Sequence, residues 1–151
     1  MVTTDISINL PDDIRKMINS DIQIPPVAKL IGFTLTSMQP GQAVIELETT
    51  DRHANPMGTR HCGILCDIAD AAMGIAYASL LKDGETFATI ELKINFLKPV
   101  WKSKLQAQGR VVSSGKTIGL TECDIIDDKH RLVAKASSTC MTLGDERAQG
   151  R

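Results

Sequence analysis

The 151-residue sequence predicts an α+β domain, with an antiparallel sheet of about six strands wrapped around one long central helix. Three observations carry that expectation. Apolar and polar residues alternate with period two through residues 33–49 and again from 86 to 143. Between these stretches Ile64, Leu65, Ile68, Ala71, Ala72, Ile75, Leu80 and Leu81 recur at helical spacing. Ala or Gly fills most positions among them, so this helix is apolar nearly all round and is expected to be enclosed.

Along the chain, "LPDDIRKMINSDI" (10–22) reads as a short helix with Pro11 near its start and two acids in its first turn. "PPVAKLIG" (25–32) reads as an entry turn and a helical turn stopped by Gly32. "GFTLTSMQ" and "QAVIELET", separated by Pro40-Gly41, form a hairpin. The central helix is expected over 62–81, with Lys82 at its negative end and Gly84 as a left-handed cap. "TFATIELKINFLKPV", "SKLQAQGRVVS", "TIGLTECDIID" and "RLVAKASSTCMTL" supply four more strands, the last three joined at "SSGK" and "DDKH". The organisation is therefore an N-terminal helical extension (1–30), one domain (31–143) and a disordered tail (144–151).

Composition excludes several function classes. With 17 basic and 18 acidic residues interspersed, there is no basic stripe for nucleic acid and no polybasic segment for a membrane surface. The longest apolar run is too short to span a bilayer, and the N-terminus has no signal-peptide pattern. Four cysteines at irregular spacing do not make a disulfide framework. A cytoplasmic location is the expectation.

Two patterns imitate other chemistries. "SSGKT" (113–117) resembles a phosphate loop, but that loop needs glycine where Arg110 stands and a helix where a strand follows. His61, Cys62 and Cys66 suggest a metal, yet His53, His130, Cys123 and Cys140 are scattered and no further cluster completes a ligand set. No metal site is expected. Cys62, near a helix start, is a candidate nucleophile on position alone.

Asp70 is the sharper signal. It lies among Ala69, Ala71 and Ala72, with no Lys or Arg three or four residues away. Burial of an unpaired carboxylate costs several kcal/mol, so a structural role alone explains it poorly. Asp67 lies nearer the helix start, where negative charge suits the dipole.

The spacing Asn55-x5-His61-x-Gly63-x6-Asp70-x3-Gly74 resembles that of the hotdog-fold acyl-CoA thioesterases of the phenylacetate-degradation (PaaI-like) type. "TIELKINFLKPV" (89–100), "VVSSGKT" and "LVAKASST" resemble the strands and hairpins that follow in that family, so the likeness covers about residues 30–143. The resemblance implies a hotdog fold and hydrolysis of acyl-CoA thioesters to free acid and CoA, with no cofactor. It makes Asp70 the general base or nucleophile, Asn55 and His61 positioning residues, and Thr89 a hydroxyl that holds the water. The backbone amides of Cys62 and Gly63 become the oxyanion hole. One departure is Cys62, where the family has glycine; the amide survives, but the side chain adds bulk near the thioester.

Cys62 and Asp70 are eight residues apart, about 12 Å along one helix. That is too far for both to reach one carbonyl, which requires contacts near ~3 Å. The shared site therefore requires two antiparallel copies of the helix, and the resemblance likewise implies a homodimer, often a dimer of dimers. Lys98, Arg110 and Lys116, taken to lie at strand ends or turns, are candidate contacts for CoA phosphates. A hotdog dehydratase or hydratase and a non-catalytic acyl-CoA binding protein are the alternative readings.

Overall fold

The computed structural model describes residues 25–144; the expected helix at 10–22 and the tail beyond 144 lie outside them. In chain order the elements are α1 (Pro26–Ile31), β1 (Phe33–Gln39), β2 (Gln42–Glu48), a 3-10 turn (Asp51–His53), α2 (Cys62–Ala78), β3 (Thr86–Phe96), β4 (Lys104–Ser114), β5 (Ile118–Ile126) and β6 (Leu132–Leu143). All six strands join one sheet in the order β1-β2-β4-β5-β6-β3, and every neighbouring pair is antiparallel. The chain leaves β2, crosses the sheet as α2, and returns at the far edge as β3.

The period-two stretches become strands because alternate residues meet α2. Ile45 and Leu47 of β2, Leu105 and Ala107 of β4, and Cys123 and Ile125 of β5 are buried against Leu65, Ile68, Ala69, Ala72 and Met73, while Ala43 packs with Met38 and Ala76. Each fully buried Leu or Ile contributes about 1.5–3 kcal/mol. Ala28 and Ile31 of α1 join the same core, and Gly32 ends α1 in the left-handed conformation (φ 94°).

Two glycines set how closely α2 lies on the sheet. A Cβ at Gly109 would sit 2.4 Å from the carbonyl oxygen of Ala72, which is helix backbone and cannot move aside. A Cβ at Gly119 would sit 2.2 Å from Cε2 of Tyr77, a buried ring whose hydroxyl shares a 2.8 Å hydrogen bond with Thr142. The small residues of α2 and Gly109 of β4 are two sides of one close contact, while Gly119 of β5 makes room for the Tyr77 ring.

The structure corrects several sequence expectations. The helix ends at Ala78 rather than 81, because the Ser79 hydroxyl donates back to the Ala76 carbonyl (2.7 Å) while accepting the Gly41 amide (2.8 Å). Gly84 is left-handed (φ 78°), but it serves a separate turn closed by Glu85 N–H to the Lys82 carbonyl. β3 stops at Phe96, after which the Leu97 and Lys98 amides both donate to the Val133 carbonyl and Pro99 has no amide to offer.

Most important, α2 is not enclosed. It packs mainly on β2, β4 and β5 and much less on β3 and β6. The side toward β3 stays open, and Asp67 and Asp70 on it are exposed in the single chain.

Candidate active site

The approach to α2 is built by a loop anchored far from itself. Buried His53 accepts the Thr50 amide at Nδ1 (3.0 Å) and places Nε2 2.8 Å from the Ile31 carbonyl. Those partners fix the Nε2–H tautomer and tie the loop to the end of α1. Asn55 then turns the chain on itself. Its Oδ1 accepts the Met57 amide (2.9 Å), its Nδ2 donates to the Thr59 hydroxyl (2.7 Å), and its backbone carbonyl accepts the Gly58 amide (2.9 Å). In this chain Asn55 shapes the loop.

The loop delivers His61 as the N-cap of α2. Its Nδ1 accepts the Gly63 amide at 2.9 Å. The first-turn amides are thus unequal: Gly63 is taken, whereas Cys62 N–H has no acceptor among the described residues. Cys62, the first helical residue, is itself exposed.

Two turns on, Asp70 Oδ1 accepts a hydrogen bond from the Thr89 hydroxyl at 3.2 Å. Thr89 stands opposite Cys140 in the β3–β6 register, at the point where β3 bulges before Glu91. The bulge re-aims the strand beside the carboxylate. No ion pair involves Asp67 or Asp70 among the described residues. Desolvation by its neighbours, and next the Asp70 charge, raise the Asp67 carboxyl above its ordinary value.

Three of the four thiols are poor nucleophiles. Burial above all pushes Cys66, Cys140 and Cys123 up, Cys123 to about 12.

Within this chain the expected residues form two groups: Asp70 with Thr89, and Asn55, His61, Cys62 and Gly63 at the helix start. The basic candidates separate as well. Lys116 is exposed in the β4–β5 turn and Lys98 is exposed after β3. Arg110 is a correction, lying seven residues into β4 instead of at a strand end. There it hydrogen-bonds Glu122 and Asp124, with Lys135 completing the cluster, so its guanidinium is committed to carboxylates.

Sequence reasoning missed two residues. His53 has a local bond to the Thr50 amide, but the tie that anchors the loop is to a carbonyl 22 positions away, which the sequence does not mark. Arg60, directly before the cap, has a side chain only 4% exposed. Among the described residues its side chain finds one acceptor, fully exposed Asp51 at 3.4 Å, and its Nε and Nη1 find none. Such a poorly paired guanidinium stabilises little, so Arg60→Met is expected to leave thermal stability unchanged or raise it by ~1 kcal/mol. A melting temperature lowered by more than about 5 °C in a thermal melt would contradict this.

The comparisons with known proteins agree with this geometry. A Saccharolobus solfataricus protein, named only provisionally as an esterase, is 31% identical over 110 residues, covering 73% of this chain and 78% of its own length. The 1,4-dihydroxy-2-naphthoyl-CoA hydrolase of Listeria monocytogenes is 27% identical over 109 residues, covering 72% and 89%. Among solved structures, the E. coli PaaI protein from the phenylacetic acid degradation operon superposes with a TM-score of 0.79 at 25% identity, covering 89% of this chain and 96% of that one. The Thioesterase superfamily profile matches residues 57–134, from the loop before α2 into β6. With a long helix against a six-stranded antiparallel sheet and that match, the chain belongs to the thioesterase superfamily and has its PaaI-like hotdog fold.

Proposed function

We propose that the protein hydrolyses acyl-CoA thioesters to the free acid and CoA, at a site that two copies of the chain build together. The observation that carries this reading is the placement of Asp70. Among the described residues it is an acid without an ionic partner, held by Thr89 on the open side of α2, about 12 Å from a Cys62 amide that has no acceptor there. A second helix running antiparallel brings one chain's Asp70 opposite the other chain's Cys62.

In that arrangement Asp70 takes a proton from water as the water oxygen attacks the acyl carbon. The carbonyl electrons move onto oxygen, where the Cys62 amide and the positive end of α2 stabilise them. Collapse re-forms the carbonyl, breaks the carbon–sulfur bond and releases CoA as a thiolate, which needs no strong acid to leave. Direct attack by Asp70 on the acyl carbon, followed by hydrolysis of the resulting anhydride, uses the same groups.

The test is complementation between two lesions. Asp70→Asn removes the base and Cys62→Pro removes the amide. Proline is tolerated at the first helical position, and His61, with ψ 133°, already has the conformation a following proline requires. Each variant alone is expected to be nearly inactive. Refolded together at equal ratio, they are expected to recover about a quarter of the wild-type activity per subunit, because about half the dimers are mixed and each holds one intact site. No recovery, with mixed dimers shown to form, would overturn the two-chain site.

A further inference from the structure

Trp101 is the only tryptophan in the chain, and it is 60% exposed. It does not dangle. The Thr49 amide and hydroxyl bond the Ser103 backbone at 2.9 Å, and the same hydroxyl lies 3.3 Å from the Trp101 carbonyl. Thr49 itself is fully buried at the end of β2. One residue earlier, buried Val100 accepts the Arg60 amide at 2.7 Å. The backbone is thus pinned on both sides of an indole presented to solvent.

The ring edge lies over Gly58, where an added methyl would sit 3.5 Å from Cζ3. Gly58 is left-handed (φ 86°) and belongs to the loop turned by Asn55, with exposed Met57 beside it. Lys98 and Lys102 flank Trp101 in sequence, are exposed, and have no ion-pair partner among the described residues. Cys62 is four chain steps from Gly58, so the indole lies within about 14 Å, plus its own reach, of the amide at the helix start.

Resting on the acyl-CoA reading, we propose that Trp101, with Lys98 and Lys102, is the platform for the nucleotide end of the substrate. The adenine stacks on the indole and the phosphates meet the two ammonium groups. A purine offers a planar face to an exposed aromatic, and such stacking tolerates an open site. Two exposed lysines within three residues of Trp101 in sequence, without an ion-pair partner among the described residues, favour an anionic ligand over an apolar acyl chain or a neutral peptide. The pantetheine arm then runs past the Asn55 loop toward the start of α2.

Being the sole tryptophan, Trp101 reports directly by fluorescence. Titration with CoA and with adenosine 3′,5′-bisphosphate is expected to quench it saturably, and pantetheine to leave it unchanged. Trp101→Ala is expected to raise KM for an acyl-CoA about tenfold or more with kcat kept. It is expected to leave kcat/KM unchanged for the same acyl group on N-acetylcysteamine, which has no nucleotide.

Absence of quenching by the bisphosphate, in protein that hydrolyses acyl-CoA, overturns the platform and leaves the hydrolase reading intact. Quenching with an unchanged KM also overturns it, because the nucleotide then binds as a free ligand. So does a Trp101→Ala variant whose only change is its oligomeric size, which would make this face a contact between copies. Failure of the wild-type protein to hydrolyse any acyl-CoA strikes the function itself, and the titration separates that outcome from the others.

Discussion

Asp70→Asn is expected to lower kcat for acyl-CoA hydrolysis by roughly 10²–10⁴-fold, the usual effect of losing a general base. The substitution keeps the shape of the side chain and its acceptor oxygen, so the Thr89 hydroxyl still has a partner. Because Asp70 is exposed in the single chain, its loss should change thermal stability little. The combination of retained fold, retained KM and lost kcat separates a catalytic role from a structural one. Turnover within a few-fold of wild type on a substrate the parent hydrolyses would remove Asp70 from the mechanism. The Asp70→Asn, Cys62→Pro mixture then asks whether the lost function can be supplied by a second chain.

Gly109→Ala is expected to be the most damaging small change in the sheet. The added methyl would lie 2.4 Å from the oxygen and 2.5 Å from the carbon of the Ala72 carbonyl, and 2.8 Å from the Met73 nitrogen. All three are helix backbone, which no rotamer change can relieve. Either α2 lifts off β4 or the strand bends, at ~3 kcal/mol or more for overpacking of this kind. Lifting α2 also moves Asp70 from Thr89, so activity should fall along with stability. Gly144→Ala, where nothing lies within 4 Å, is the matched control. If a thermal melt places Gly109→Ala within about 2 °C of that control, the close helix–strand contact is wrong.

Much of the fold was legible because its signals are local. Alternation marked all six strands, and Gly32 and Gly41 stood where the chain turns left-handed. What failed depended on distant partners. Three residues were overcounted on α2 because the Ser79 hydroxyl meets the turn between β1 and β2, a contact spanning 38 positions. An apolar composition also could not tell which side of α2 the sheet covers. Ala71 and Ile75 read as core residues, yet both are only partly buried within one chain.

The candidate site divided the same way. The spacing from Asn55 to Asp70 marked the residue types, but not their pairing. That His61 occupies the Gly63 amide, and so leaves Cys62 as the free donor, is a matter of ring placement. Arg110 shows the opposite failure. From sequence it reads as a cation at a strand end, and only the β4–β5–β6 register reveals it in mid-strand with Glu122, Asp124 and Lys135 around it.

The position of β3 bears on how the protein reaches its folded state. An 11-residue strand at the border of a sheet presents a long row of unpaired amides and carbonyls, and here Ile90 and Phe96 on it are also exposed. Such an edge is a template for any extended chain it meets, misfolded neighbours included. On the two-copy reading, copies pair across the open side of α2, which lies beside this edge, so correct pairing and aggregation compete for neighbouring surface. Yield on refolding should then pass through an optimum in protein concentration, with too few encounters below it and too many wrong ones above. Apparent stability should rise with concentration as well, since the paired state gains by mass action. On that same reading, catalysis becomes a property of abundance.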